Sequence, residues 1–471
     1  VKDDENITMK KFIVSIILFP LIFIACTKSE KGYDALEKGL LGILEKKDEE
    51  YIAKHLEKSA KEGNADAFGL AYIYWQNSGE QFFDKFLNNS KGNAEYYKAL
   101  IMQEKSDDEK EIISMLESAA KQGNYRAYYI LGNIFQDKLE FTKAQEYLKK
   151  GKEQGEMYSL YSYDYNKNLT GIYKKIEELN KKLKEGTINP DEKKELGTLV
   201  LEKFSNYDMS YNILKEFVAE EYPPALYSKA KKLEMENKDE EAIQIYNQLF
   251  AKNRYYLASF ELAYKLVNNN KNYDLAIRVL EDTNSDDSLI TGYKGFIYEN
   301  LKKFDKAEEN YLKAVHKNDI DVMLYLGRLY EEEKKTKKAK EIYAKAYSLG
   351  SISSGYSLAN LIERTEKEKT EKNKKNKAPK NNKNAKKILE RLAENGNDYS
   401  MVDLSLYYPE NDKNVRIWNL KAAVRLNETA FHNLGVYYYN KKDKNKAKLY
   451  FKMAKEYGYR LEPEYEALIS I

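Results

Sequence analysis

The chain is poor in residues that cross-link, kink or coordinate. A single cysteine, Cys26, occurs in 471 residues, so no internal disulfide can form, and everything beyond that position lacks a cysteine-based zinc centre or a thiol nucleophile. The three histidines, His55, His316 and His432, stand too far apart in sequence to share a metal-binding helix face. Gly-rich phosphate loops, a nucleophile-elbow serine and an HExxH pattern are also missing, so no catalytic residue, metal or cofactor is expected and the chain reads as a non-enzyme. Seven prolines and 22 glycines leave long stretches free of helix breakers. Lys plus Arg is 79 and Asp plus Glu is 76, giving a net charge of +3. That surplus is too small for bulk attraction to nucleic acid, and no nucleic-acid partner is expected.

What is abundant is charge, at 33%, and tyrosine, at 42 residues. Between Ser288 and Gly350 one pattern is written twice. Gly295, Tyr298, Ala307, Tyr311 and Ala314 are followed 32 residues later by Gly327, Tyr330, Ala339, Tyr343 and Ala346. Met323, Leu326, Gly327 and Tyr330 follow the i, i+3, i+4, i+7 spacing of one helix face, and Ala339, Tyr343 and Ala346 begin a second helix. The polar EEEKKTKK between them is short enough for a tight connection. Small residues at Gly327, Ala339 and Ala346 let the two axes approach, so a bulky residue at Gly327 is predicted to push them apart.

The same spacing recurs through Leu131, Gly132, Phe135, Ala144 and Leu148, and again through Leu434, Gly435, Tyr438, Ala447, Phe451 and Ala454. Further units begin near 223 and 256. A unit of this length cannot bury its apolar face alone, so its repetition predicts one long stack of helix pairs rather than separate cores.

This arrangement resembles the tetratricopeptide repeat and, more closely, its Sel-one-like relative. The latter carries an AA-x-x-G-x-x-x-A-x-x-x-LG-x-x-Y junction, and residues 119–135 read AAKQGNYRAYYILGNIF. The resemblance implies an all-α, right-handed superhelical solenoid of antiparallel helix pairs that binds protein or peptide partners. In such stacks the first helix of every unit lines the concave side. Carried over, the groove would present Arg126, Tyr129, Asn133 and Gln136, then Tyr227 and Lys231, Phe260 and Tyr264. Phe296 and Glu299, Leu324 and Arg328, and finally His432 and Tyr439 would continue it. Tyrosine and arginine suit a peptide groove because they offer contact area with few rotors to freeze. The competing reading of the same tyrosines is simple packing between neighbouring units.

Residues 1–25 read as an export signal. Met9-Lys10-Lys11 begins a positive region, and the apolar run Phe12 to Ala25 falls short of the roughly 20 residues that a bilayer span requires. Its end, FIAC-TKSEK, resembles the bacterial lipobox, which implies that Cys26 is the lipid attachment site and the first residue of the mature chain. Phe23 departs from the usual leucine. Thr27 is not aspartate, which in that family sends a protein to the outer membrane of a diderm cell, so the expected address is the cell envelope with a lipid-held membrane contact.

The order that follows is a tether at 26–33, irregular repeats at 34–156, and a divergent hairpin or hinge at 157–222. Regular repeats at 223–362, a Lys/Asn-rich mobile loop at 363–384, and C-terminal repeats with a capping helix at 385–471 complete it. Glycines 63, 92 and 123 are expected to close turns in the left-handed region, and Asn189-Pro190 with Asp191 and Glu192 to open a helix. The leading functional expectation is a lipid-anchored envelope scaffold for protein segments. The alternatives are a surface adhesin that holds an anionic polymer through the Lys-rich loop, and an envelope glycan hydrolase with two carboxylates across a cleft.

Overall fold

Helix boundaries follow the local chemistry of the sequence. Asp48, Asp108, Asp287, Asp319, Asn397, Asn427 and Asp443 each precede a helix and accept a backbone N–H of its first turn through the side chain, which satisfies donors the helix cannot. Asn189 and Glu192 form a reciprocal capping box, with Pro190 in the first turn. Gly63 and Gly123 close helices at φ +86° and +109°. Gly92 is also left-handed, but it opens the helix Asn93–Glu104 rather than closing one.

The computed structural model describes residues 31–75, 79–105, 108–166, 169–372 and 382–470. The export signal, Cys26 and most of the tether lie outside the described residues, as does 373–381 of the Lys/Asn-rich stretch. Among the described residues there are 27 α-helices and no strand. The protein is an all-α repeat of antiparallel helix pairs, such as Ser288–Asn300 with Phe304–His316, Ile320–Glu332 with Thr336–Ser348, and Glu428–Asn440 with Lys444–Glu456.

Within a pair the spacing of glycine and a large side chain sets the approach. A Cβ on Gly295, Gly327, Gly435 or Gly132 would fall within 3.0 Å of Tyr311, Tyr343, Phe451 or Leu148 respectively. In each case the partner lies 16 residues on, so one small-to-large contact is reused from pair to pair. Alanines 307, 314, 339 and 346 are fully buried beside these rings.

Two features differ from expectation. The chain gathers into two compact units rather than one uninterrupted stack. The first comprises Asn133–Glu146 and Tyr161–Ser351; the second comprises the described residues up to Gly132, then Tyr147–Leu160, and 352 onward. The helix Ile352–Lys372 also carries ten residues into the stretch expected to be a mobile loop. Glu363 and Lys367 stand four apart, a spacing that supports a helix without any apolar stripe.

In the first unit the divergent stretch is helical and has its own core. Tyr173, Ile176, Leu196, Val200, Leu214 and Phe217 are buried together with Phe141 and Leu139. In the second unit the helix Tyr33–Leu44 packs on Lys413–Ala423 and Lys444–Glu456. There Glu37, 3% exposed, accepts from Tyr438 at 2.7 Å and Tyr450 at 2.9 Å. It also pairs with Arg416 at 3.0 Å and Lys446 at 3.4 Å. The first repeat is therefore docked on the last ones through this buried carboxylate, with Asp34 on Arg416 and Asp66 near Arg425 beside it.

Candidate functional site

The first helices of consecutive pairs in the first unit pack against one another, Tyr256–Asn270 on Ser288–Asn300 and the latter on Ile320–Glu332. This brings Phe260, Tyr264 and Phe296 from two different repeats into one aromatic row. The Tyr293 ring joins them, 5.1 Å from Phe260, 6.3 Å from Tyr264 and stacked on Phe296 at 5.6 Å. Such edge and offset contacts add to burial and hold the row rigid. Phe260 and Tyr264 are 4% and 5% exposed, so their area is spent largely inside the row. Phe296 and Leu324 remain half-buried and Arg328 is exposed, with its guanidinium 6.0 Å from the Tyr325 ring centre.

Tyr227 and Lys231 occupy the preceding pair. Tyr227 is buried and donates to Glu261 at 3.0 Å, while the Lys231 ammonium bonds Glu261 at 2.9 Å and Glu234 at 2.7 Å. Lys265 adds a second cation on Glu234 at 2.6 Å. Burial opposes the charge on Lys231, but the two carboxylates outweigh it and hold the ammonium well above its ordinary range. Here the chain satisfies its own charges. Glu299 is likewise engaged, accepting from Tyr311 at 2.6 Å.

A group of carboxylates, two of which cap these first helices, escaped the sequence reading. Glu202, Asp287, Asp319 and Asp321 are all partly buried; burial first, and then a neighbouring carboxylate, opposes the ionisation of Glu202, Asp319 and Asp321. Burial, then Asp319, push Asp321 up to about 6 against a hydrogen bond from Tyr161. Tyr325 lies among Arg328, Asp321, Glu299 and Asp319. Asp287 and Asp319 stand 32 residues apart and both cap first helices, so the repeat register was the signal that could have found them. An open recess of about 410 Å³ lined by Leu139, Glu140, Glu177, Asn180, Lys181, Lys184 and Glu185 shares no residue with this face.

The remaining expected groove residues are dispersed. Asn133 and Gln136 are half-buried in the first unit. In the second unit Arg126 is 9% exposed and donates to the Glu394 carbonyl at 3.0 Å. Tyr129 packs on Tyr158 at 5.5 Å. His432 and Tyr439 lie under the chain's own C-terminal segment.

Residues 294–315 and 320–349 match the tetratricopeptide repeat family, and these are the two pairs in which the pattern is written most regularly. No curated protein matches the chain in sequence. Among solved structures, the Sel1 repeat protein from Oxalobacter formigenes is 16% identical, with a TM-score of 0.38 over 49% of this chain and 99% of that one. The APC/C hetero-tetramer Cut9-Hcn1 gives 13% identity and a TM-score of 0.38 over 98% of both chains. A tetratricopeptide repeat protein from Parabacteroides merdae gives 14% and 0.33 over 52% of this chain and 96% of that one. Two repeats of this chain thus match the tetratricopeptide repeat family, and helix pairs on either side continue their spacing in an all-α helical repeat.

Proposed function

We propose that the protein is a lipid-anchored scaffold of the bacterial cell envelope that binds segments of partner proteins along the first helices of its first unit. The observation that supports the binding face is the aromatic row Phe260, Tyr264, Tyr293 and Phe296, with the half-buried Leu324 and exposed Arg328 on the next first helix packed beside it. A rigid, partly open aromatic surface offers a partner apolar contact at little entropic cost. The carboxylates Asp287, Asp319 and Asp321 at the starts of its helices favour a segment that carries lysine or arginine beside its apolar residues. The anchoring rests on the sequence alone, through the short apolar run and the lipobox-like FIAC ending at Cys26.

Two experiments test this. Phe296→Ser combined with Leu324→Ser should abolish co-purification of the partner, whereas Lys313→Glu, on an exposed second helix, should leave it intact. Metabolic labelling with a clickable fatty acid should mark the wild type and spare Cys26→Ala; a wild type that takes no label ends the anchoring proposal.

A further inference from the structure

The last helix pair carries two residues that the repeat pattern assigns to a groove, His432 and Tyr439, and the chain's own end covers both. The Tyr459 ring stacks on the His432 imidazole at 4.2 Å, and a Glu462 carboxylate oxygen lies 3.1 Å from Nε2. Tyr465 stacks on Phe451 at 4.3 Å, and Glu464 accepts from the Tyr439 hydroxyl at 2.5 Å. Lys455 reaches Glu466 at 2.8 Å. His432 is thereby reduced to 8% exposure.

The covering segment itself is poorly held. Its helix Pro463–Ser470 has no buried residue, and Leu461 alone in the segment is buried, at 6% exposure. Eight residues are too few to be helical without support, so the surface beneath holds them in place. Gly458, at φ +96° with open space around it, turns the chain back onto that surface. The two sides also carry opposite charge where they meet, the Lys455 ammonium against the Glu466 carboxylate, and residues 459–470 supply Glu462, Glu464 and Glu466 against Arg460.

We propose that the surface formed by His432, Tyr439, Phe451 and Lys455 is a docking site for an acidic, tyrosine-bearing helical segment of a partner protein, which residues 459–470 occupy in cis until that segment displaces them. The occupant shows the chemistry that fits: a carboxylate against the imidazole, a second against the Tyr439 hydroxyl, and an aromatic ring on Phe451. Tethering gives the resident segment a high effective concentration, so a partner competes only when the resident is loosened or its own contacts are better. This rests on the protein-binding reading above but uses a different repeat and the opposite charge preference, so either can fail without the other.

The probe is a fluorescent peptide with the sequence of residues 459–470, titrated into the full chain and followed by anisotropy. Tyr465→Ala removes one stacked ring from the resident and is expected to tighten peptide binding roughly threefold to tenfold over wild type. Adding His432→Ala should erase that gain, and a scrambled peptide should show none. Glu464→Gln, an exposed change that weakens only the Tyr439 contact, should give a smaller gain in the same direction and serves if Tyr465→Ala unfolds by circular dichroism. Folded variants that bind no tighter than wild type, or a gain that survives His432→Ala, would show the segment to be a fixed cap and overturn the proposal.

Discussion

The Tyr311 hydroxyl donates to Glu299 at 2.6 Å, and 32 residues on Tyr343 donates to Glu331 at 2.7 Å. Both rings are fully buried, and each carboxylate sits on the preceding helix, so one phenol fills the space above a glycine and ties its helix to the partner helix. Burial and then the Glu299 charge raise Tyr311 well above the ordinary tyrosine value, which keeps it a donor. Tyr311→Phe should cost about 1–2 kcal/mol, since it removes a bond to a charged acceptor. Tyr399→Phe, at a ring 49% exposed, should be near neutral. Thermal unfolding of the two variants measures the difference.

Gly327 and Gly171 form a matched pair of tests. A Cβ on Gly327 would run into the Tyr343 ring, whereas one on Gly171 meets nothing within 4 Å. Gly327→Ala should therefore lower stability by about 1–3 kcal/mol through forced separation of two packed helices. Gly171→Ala should raise it by up to about 1 kcal/mol through helix propensity. Opposite signs in denaturant midpoints are the expected result, and equal signs would contradict the packing argument.

Glu37 is the buried carboxylate on which Arg416, Lys446, Tyr438 and Tyr450 converge. Glu37→Ala leaves the buried Tyr438 and Tyr450 hydroxyls without their acceptor and Arg416 with Asp34 alone, so the second unit should lose about 3–5 kcal/mol. Limited proteolysis is the direct readout, with new cleavage expected near Tyr33–Leu44 as that helix comes away from the C-terminal repeats. An unchanged digestion pattern would show that apolar packing alone holds it.

Asp321 links stability to pH in an unusual direction. Its folded value, about 6, lies above the ordinary 3.8, so the folded state binds the proton more tightly than the unfolded one. Stability therefore falls as pH rises from about 4 to about 6, and the deficit is complete above that window. Asp319, Tyr161 and Tyr325 are the titratable groups facing it. Asp321→Asn should be more stable than wild type at pH 7.5 by on the order of 1–3 kcal/mol, and equal to it near pH 4. A stability difference that does not change with pH would exclude the linkage.

The helix pairs were legible because glycine, alanine and tyrosine at fixed places report a close helix contact, and Gly327 against Tyr343 is that contact. The capping box at Asn189 was equally plain, since it is local. What the sequence hid is long-range. Nothing near Glu37 announces partners some 380 to 410 residues away, and a lone glutamate in a Lys/Glu-rich chain reads as solvated surface. The burial of Tyr227, Phe260 and Tyr264 was hidden for a related reason: a face shared by consecutive first helices has the same period whether it meets a partner or the next repeat. The helical extension to Lys372 shows that charge alone does not mark a loop when the signs alternate at helical spacing.

The face of the first unit is tested most directly by a photo-crosslinking amino acid placed at position 296 in living cells, with position 313 as the control on an exposed second helix. The account predicts an adduct at 296 that maps to one basic, apolar-containing segment of one partner, is lost with Leu324→Ser, and is missing at 313. Equal labelling at both positions, or none at 296 while the protein is folded and expressed, would contradict it.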